Sequence, residues 1–202
     1  MRAAALLTLT SASLALTANV PLKAPIPGYS VFIPEWEVQA TPGGDNVTIK
    51  GTVEDVFDEL HNINPDYAKA FGINFAEKAG PSARELEKRA NFTDRPFICD
   101  NFGRAHVDAG WDGIKYLRKV KGKPKASAGP AMCGRVSCSW KTAIWWCNDD
   151  DKPKTLESFS DIADGAEKVW SECTDTEFHF WFASGQAFHK DNWNVIVGYE
   201  YC

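Results

Sequence analysis

Gly134–Asp149, GRVSCSWKTAIWWCND, decides how this chain folds. Apolar and β-branched residues stand on either side of a polar Trp140-Lys141-Thr142 centre, which predicts two short strands. Side chains alternate along a strand, so Ile144 and Trp146 belong to one face and Trp145 and Cys147 to the other. Helical patterns lie on both sides of this stretch. In TLESFSDIADGAEKVWSEC, residues 155–173, Leu156, Phe159, Ile162, Ala163, Ala166, Val169 and Trp170 form one stripe, with Thr155 as the expected N-cap. Upstream, Asp108 is expected to cap a helix through AGWDGIKYLRKV, with Trp111, Ile114 and Leu117 at helical spacing and Gly122 as its stop. EFHFWFA (residues 177–183) and NWNVIVGYEYC (residues 192–202) alternate and read as further strands. Two amphipathic helices on one face of a mainly antiparallel sheet make an α+β fold, a two-layer α/β sandwich.

The other end of the chain reads differently. Arg2 is followed by the uncharged run AAALLTLTSASLALTA, Ala3 to Ala18, the layout of a secretory signal peptide at residues 1–18. That run is too short and too rich in Ser, Thr and Ala for a bilayer span, and no later stretch reaches the needed length. A secreted, extracellular protein without a membrane span is expected. In an oxidising compartment the six cysteines, Cys99, Cys133, Cys138, Cys147, Cys173 and Cys202, should form three disulfides, whose connectivity the sequence leaves open. Zinc is the weaker reading, because Cys133-x4-Cys138 lacks a second close Cys or His pair to complete a tetrahedral site. No metal or cofactor is expected.

All six cysteines follow the dibasic step Lys88-Arg89 in ELEKRA. The step lies in AGPSARELEKRAN, a polar stretch with Gly80 and Pro81 as breakers, suited to presentation to a kexin-type protease. Residues 19–89 then form a pro-segment with seven Lys and Arg against eleven Asp and Glu, and residues 90–202 a mature domain with fourteen against sixteen. Inside the pro-segment, SVFIPEWEVQ reads as extended chain, TPGGDN as a turn and NVTIKG as a second strand. Thr52 opens a short helix with Val53, Val56, Phe57 and Leu60 on one face, and Thr52-Val53-Glu54-Asp55 has the look of a capping box. A hairpin plus one helix buries too little to stand alone, so it should lean on the mature part or aid its folding.

Three runs of the mature part, CGRVSCSWKTAIWWCND, LESFSDIADGAEKVW and SGQAFHKDNWNVIVGYEYC, resemble the core of small secreted fungal proteins of effector-type secretomes. The resemblance covers about the last 95 residues and implies a signal, a cysteine-free pro-segment and a dibasic processing site. A more distant resemblance, in element order and a terminal cysteine, is to killer-toxin-like α/β sandwiches and necrosis-type effectors. This chain lacks the higher cysteine count of the viral killer toxin, so channel blocking is not carried over.

Candidate chemistry is sparse. His106, His179 and His189, with Glu177 two residues from His179 on one strand face, are the residues a ribonuclease-like acid–base mechanism would use. No phosphate loop, nucleophile elbow or metal-binding helix motif accompanies them. Lys115, Arg118, Lys119, Lys121, Lys123 and Lys125 crowd into KYLRKVKGKPK in a chain of net charge −5, which predicts a locally positive end for an anionic surface or for the acidic pro-segment itself. Asn46-Val-Thr and Asn91-Phe-Thr are N-glycosylation acceptors in an exported chain. The reading that joins these features is a monomeric, non-enzymatic effector or toxin-like interaction protein acting on a host or competitor cell; the alternative is a secreted hydrolase, a ribonuclease.

Overall fold

Pro34 splits the extended stretch near the N-terminus into two strands that serve different sheets. The computed structural model describes residues 21–74, 90, 92, 94–174 and 181–202. Before Pro34, β1 (Ser30–Val31) pairs in parallel with a strand of the cysteine-rich region. Beyond it, β2 (Glu35–Gln39) and β3 (Asn46–Lys50) make an antiparallel hairpin around Thr41–Asp45. Thr52 then caps α1 (Val53–Ile63): its hydroxyl accepts from Asp55 N–H, and the Asp55 carboxylate accepts from Thr52 N–H at 2.8 Å, the expected capping box. Val53, Val56 and Leu60 are buried along one face of α1, and Phe57 packs beside them. The four-residue α2 (Tyr67–Ala70) follows.

The cysteine-rich region supplies β4 (Phe97–Cys99), β5 (Ala105–His106), α3 (Val107–Lys119), β6 (Gly122–Ala126), β7 (Met132–Ser139), β8 (Thr142–Asn148), β9 (Lys154–Thr155), α4 (Phe159–Cys173), β10 (Phe182–Ala183), β11 (Gly185–His189) and β12 (Trp193–Tyr199). The largest sheet has the order β1-β7-β8-β12-β11-β4 and is antiparallel except at β1. A four-stranded antiparallel sheet, β3-β2-β6-β9, joins the N-terminal hairpin to the cysteine-rich region, and β5 pairs with β10. The chain is therefore a mixed α+β fold with mostly antiparallel sheets, the described strands being divided among three sheets rather than gathered into one.

The stretch 134–149 forms the expected hairpin of β7 and β8, with Trp140 and Lys141 as the two-residue turn. Its two faces divide as alternation requires. Ile144 and Trp146 join the main core beneath α3 and α4, whereas Trp145 and Cys147 join a second cluster on the opposite face with Cys133, Ala143 and Ile196. Leu22, Ala24, Ile26, Tyr29 and Val31 of the N-terminal segment cover that second cluster with Phe102. This cover explains why β8 is buried at every position. Alternation separates faces; it does not say that either one is wet.

Two helix starts differ from the sequence reading. Thr155 lies in β9, paired with Lys125, and the N-cap of α4 is Ser158, whose hydroxyl accepts from Ser160 N–H while Asp161 accepts from Ser158 N–H. A capping box three residues inside the expected start outcompetes a threonine needed by the sheet. Likewise His106 precedes α3, and Asp108 sits in its first turn, where a negative charge complements the helix dipole. Gly122, at φ +145°, takes the chain out of the helix into β6; a side chain there would collide with Glu37 O.

The N-terminal segment does lean on the rest. Trp36 is wholly buried, stacked on Phe159 of α4 at 4.2 Å, and its indole N–H donates to Gly51 O at 2.7 Å. Glu54 of α1 accepts from the Ser137 hydroxyl at 2.5 Å and from Cys138 N–H at 3.2 Å. Three disulfides, Cys99–Cys173, Cys133–Cys147 and Cys138–Cys202, use all six cysteines, and all lie within the cysteine-rich region. The loops of 74 and 64 residues closed by the first and third restrain the unfolded chain most, on the order of 4 kcal/mol each in a chain-entropy account.

Candidate functional site

One end of the large sheet carries a concentration of exposed aromatic rings. Trp140, at the turn of the β7–β8 hairpin, is 87% exposed; Tyr201 is 75% and Trp181 63% exposed. Tyr199 and Phe182 are partly exposed, and Trp111 stands in the second turn of α3. Register and chain connectivity bring all of them but Trp111 to the same end. Thr142, just after the turn, pairs with Tyr199 at the end of β12, and its hydroxyl accepts from His106 N–H at 3.0 Å, while His106 pairs with Phe182. The Tyr199 and Tyr201 rings meet edge to face at 5.4 Å, and the hydrogen bond between their hydroxyls pushes the Tyr199 hydroxyl up from its ordinary value. Beside Tyr199 opens a cleft of about 260 Å³ walled by Phe102, Trp145 and Ile196, with Asn101 and Glu200 as polar groups.

The turn itself is strained. Trp140 and Lys141 both have positive φ, +47° and +62°, in positions where two-residue hairpins favour Asn and Gly. Residues other than glycine in the left-handed region cost on the order of 1 kcal/mol each, and such outliers cluster at functional sites. A tryptophan held in this conformation, with nearly its whole ring in solvent, adds little packing to offset that cost. Alternation alone assigns Trp181, Tyr199 and Tyr201 to strands and does not reveal the cluster; of the three only Tyr199 lies in one, at the end of β12. The available signal was Trp140 itself, a large aromatic at the centre of a predicted hairpin where turn chemistry asks for a small polar residue.

The basic stretch is threaded with acids. Lys115 pairs with Asp112, Lys123 with Glu157 and Lys125 with Glu37. Arg118, 10% exposed, pairs with Asp164 and Glu167, and Lys119 donates to Asn74 O. These contacts weaken the positive field that the run of cations suggests on paper. Two of them, to Glu37 and Asn74, reach the N-terminal segment. Lys121, Lys123 and Lys125 do project along one side of β6 into a shallow cleft of about 260 Å³ shared with Glu37, Gln39 and Asn46. Asn46, the first acceptor, is exposed at the start of β3; Asn91 lies outside the described residues.

Among the described residues, His106 and His189 do not converge. His106 lies at the Tyr199 end of β12, whereas His189 pairs with Trp193 at the other end, six residues and about 20 Å away along the strand. His189 stacks on Trp193 at 4.5 Å; burial pulls its pKa down and its Nδ1 accepts from Asp191 N–H, both of which favour the neutral ring, while the Asp191 carboxylate works against them. His179 and Glu177 lie outside the described residues, as does Lys88-Arg89. Among the described residues no helix is long and apolar enough to cross a membrane, and no cluster of His, Cys, Asp and Glu is arranged to hold a metal ion.

No family model, curated protein or solved structure matches this chain.

Proposed function

We propose that this is a secreted, disulfide-stapled interaction protein of fungal origin that acts on a host or competitor cell as an effector or toxin-like module, without catalysing a reaction. The aromatic rim around Trp140 carries this reading. Exposed tryptophan and tyrosine give large contact area at low entropic cost and dominate binding hot spots. The Tyr199 cleft beside them supplies a recess for one group of the partner. Lys121, Lys123 and Lys125, on a different sheet, add a secondary contact for an anionic surface. Export, removal of the signal at residues 1–18 and cleavage after Arg89 complete the proposal; helices α3 and α4 over the large sheet are its α/β sandwich core, and the protein acts as a monomer.

The test replaces the strained turn. Trp140→Asn with Lys141→Gly installs the favoured turn residues, so the variant should be at least as stable as the wild type. Labelled wild-type protein should decorate intact target cells and elicit their response, and the variant should lose at least tenfold in both. His106→Ala and His189→Ala should leave both unchanged. A turn variant that acts like the wild type, with activity lost in the histidine variants, would sink this reading in favour of a hydrolase.

A further inference from the structure

Ala90, the residue after the dibasic step, is already held by a buried carboxylate. Its backbone N–H donates to Asp164 Oδ2 at 2.9 Å, and Asp164, on α4, is 8% exposed. The other oxygen, Oδ1, lies 2.8 Å from Arg118 Nη2. Two residues on, Phe92 is 4% exposed, edge to face with Trp193 at 5.2 Å and with His189 at 5.3 Å. Its seat exists because residue 165 is glycine: a Cβ there would lie 2.8 Å from the Phe92 ring. Beyond it β4 joins the sheet edge and Cys99 is bonded to Cys173 at the end of α4. Ala90 and Phe92 thus both rest on α4, within three residues of Arg89.

We infer that cleavage after Arg89 converts this hydrogen bond into a buried ion pair, the new α-ammonium of Ala90 locking onto Asp164. The inference rests on the reading that the chain is cut there. Hydrolysis by a kexin-type serine protease adds the hydroxyl of water to the Arg89 carbonyl carbon and a proton to the Ala90 nitrogen, breaking the peptide bond. At neutral pH the new carboxyl group releases a proton and the amine takes one up, so no other reactant is needed. An amide N–H that donates to a carboxylate becomes an ammonium in the same place, and a charge-assisted bond is about twice as strong as a neutral one.

The surroundings set the sign. Asp164 faces the amine directly; Asp161 and Glu167 on the same helix add negative charge, and Arg118 on α3 opposes it. A partly buried amine against a carboxylate is held above the ordinary α-amino value of about 8. Because the folded value is raised, the added stability is fully present below about pH 8 and is lost as pH rises through the folded value. The cut therefore fastens the mature N-terminus instead of leaving it loose.

Two arms keep the failures apart. In the first, the full chain from Asn19 is treated with a kexin-type protease and its new N-terminus sequenced; a start at Ala90 supports processing, and its absence overturns the processing reading alone. In the second, Leu86→Ile with Lys88→Gly turns LEKR into Ile-Glu-Gly-Arg, and the matching site-specific protease generates the Ala90 terminus whatever the native route. The pH dependence of α-amine acylation, followed by mass spectrometry, then reads the ion pair. Its midpoint should lie about one pH unit or more above the ordinary value and fall back in Asp164→Asn. A glycine inserted before Ala90, which displaces the ammonium while leaving Asp164 in place, should have the same effect. An ordinary midpoint in the cut wild-type chain, or a raised one that the inserted glycine does not lower, overturns the inference.

Discussion

Gly110 lies where α3 meets Trp170 of α4, and a Cβ there would fall 1.9 Å from the indole. No rotamer change of a fully packed tryptophan gives that much room, so the helices must part. Gly110→Ala is expected to cost about 3 kcal/mol despite the better helix propensity of alanine, seen as a lower urea midpoint. Asp161 behaves differently. Burial pushes its pKa up to about 6, Asp164 adds to the effect, and the Ser158 N–H works against it. Between the ordinary carboxylate value and about pH 6 the folded state holds the extra proton, so stability declines as pH rises through that window. Asp161→Asn keeps an oxygen for Ser158 N–H, and should flatten the stability profile between about pH 4 and 6. A slope unchanged by the substitution would assign it to other carboxylates.

Among the elements, the β2–β3 hairpin and α1 were legible because each has a local signature: a turn at TPGGDN, and a capping box at Thr52. The β7–β8 hairpin was legible for the same reason, including which residues share a face. What the sequence concealed is pairing between distant elements. Nothing local tells β2 that its second neighbour is β6, some 85 residues away, or that residues 22–31 cover the outer face of β8. The aromatic rim was hidden likewise, because exposure at one end of a sheet depends on where other elements stop. Trp36 measures how much the distant pairing matters. Trp36→Ala removes its stack on Phe159 and its bond to Gly51, and should destabilise the whole protein by about 3–5 kcal/mol, with β2 and α4 losing hydrogen-exchange protection together.

At the scale of the molecule, residues 21–74 contribute strands to two sheets and cover for both faces, yet no disulfide ties them to the remainder. A chain cut between the two parts is expected to stay whole under native conditions and to separate in non-reducing denaturant, by size exclusion against gel electrophoresis. Residues 90–202 produced alone should bind hydrophobic dyes strongly, and should lose that binding when residues 19–89 are supplied. Native-like dye exclusion by the isolated part would show that the N-terminal segment is dispensable to the core.

The outer side of β7 has a further consequence, for behaviour in a crowded secretion. Eight residues of open strand would invite a second molecule to add its own strand there. Three separate features close that route. β1 occupies the first positions, the bulge between Arg135 and Ser137 breaks the ladder in the middle, and the Glu54 carboxylate takes up the Cys138 N–H near the end. Two of these come from the N-terminal segment, so the same residues that complete the core also keep neighbouring molecules from stacking strand upon strand into fibrils.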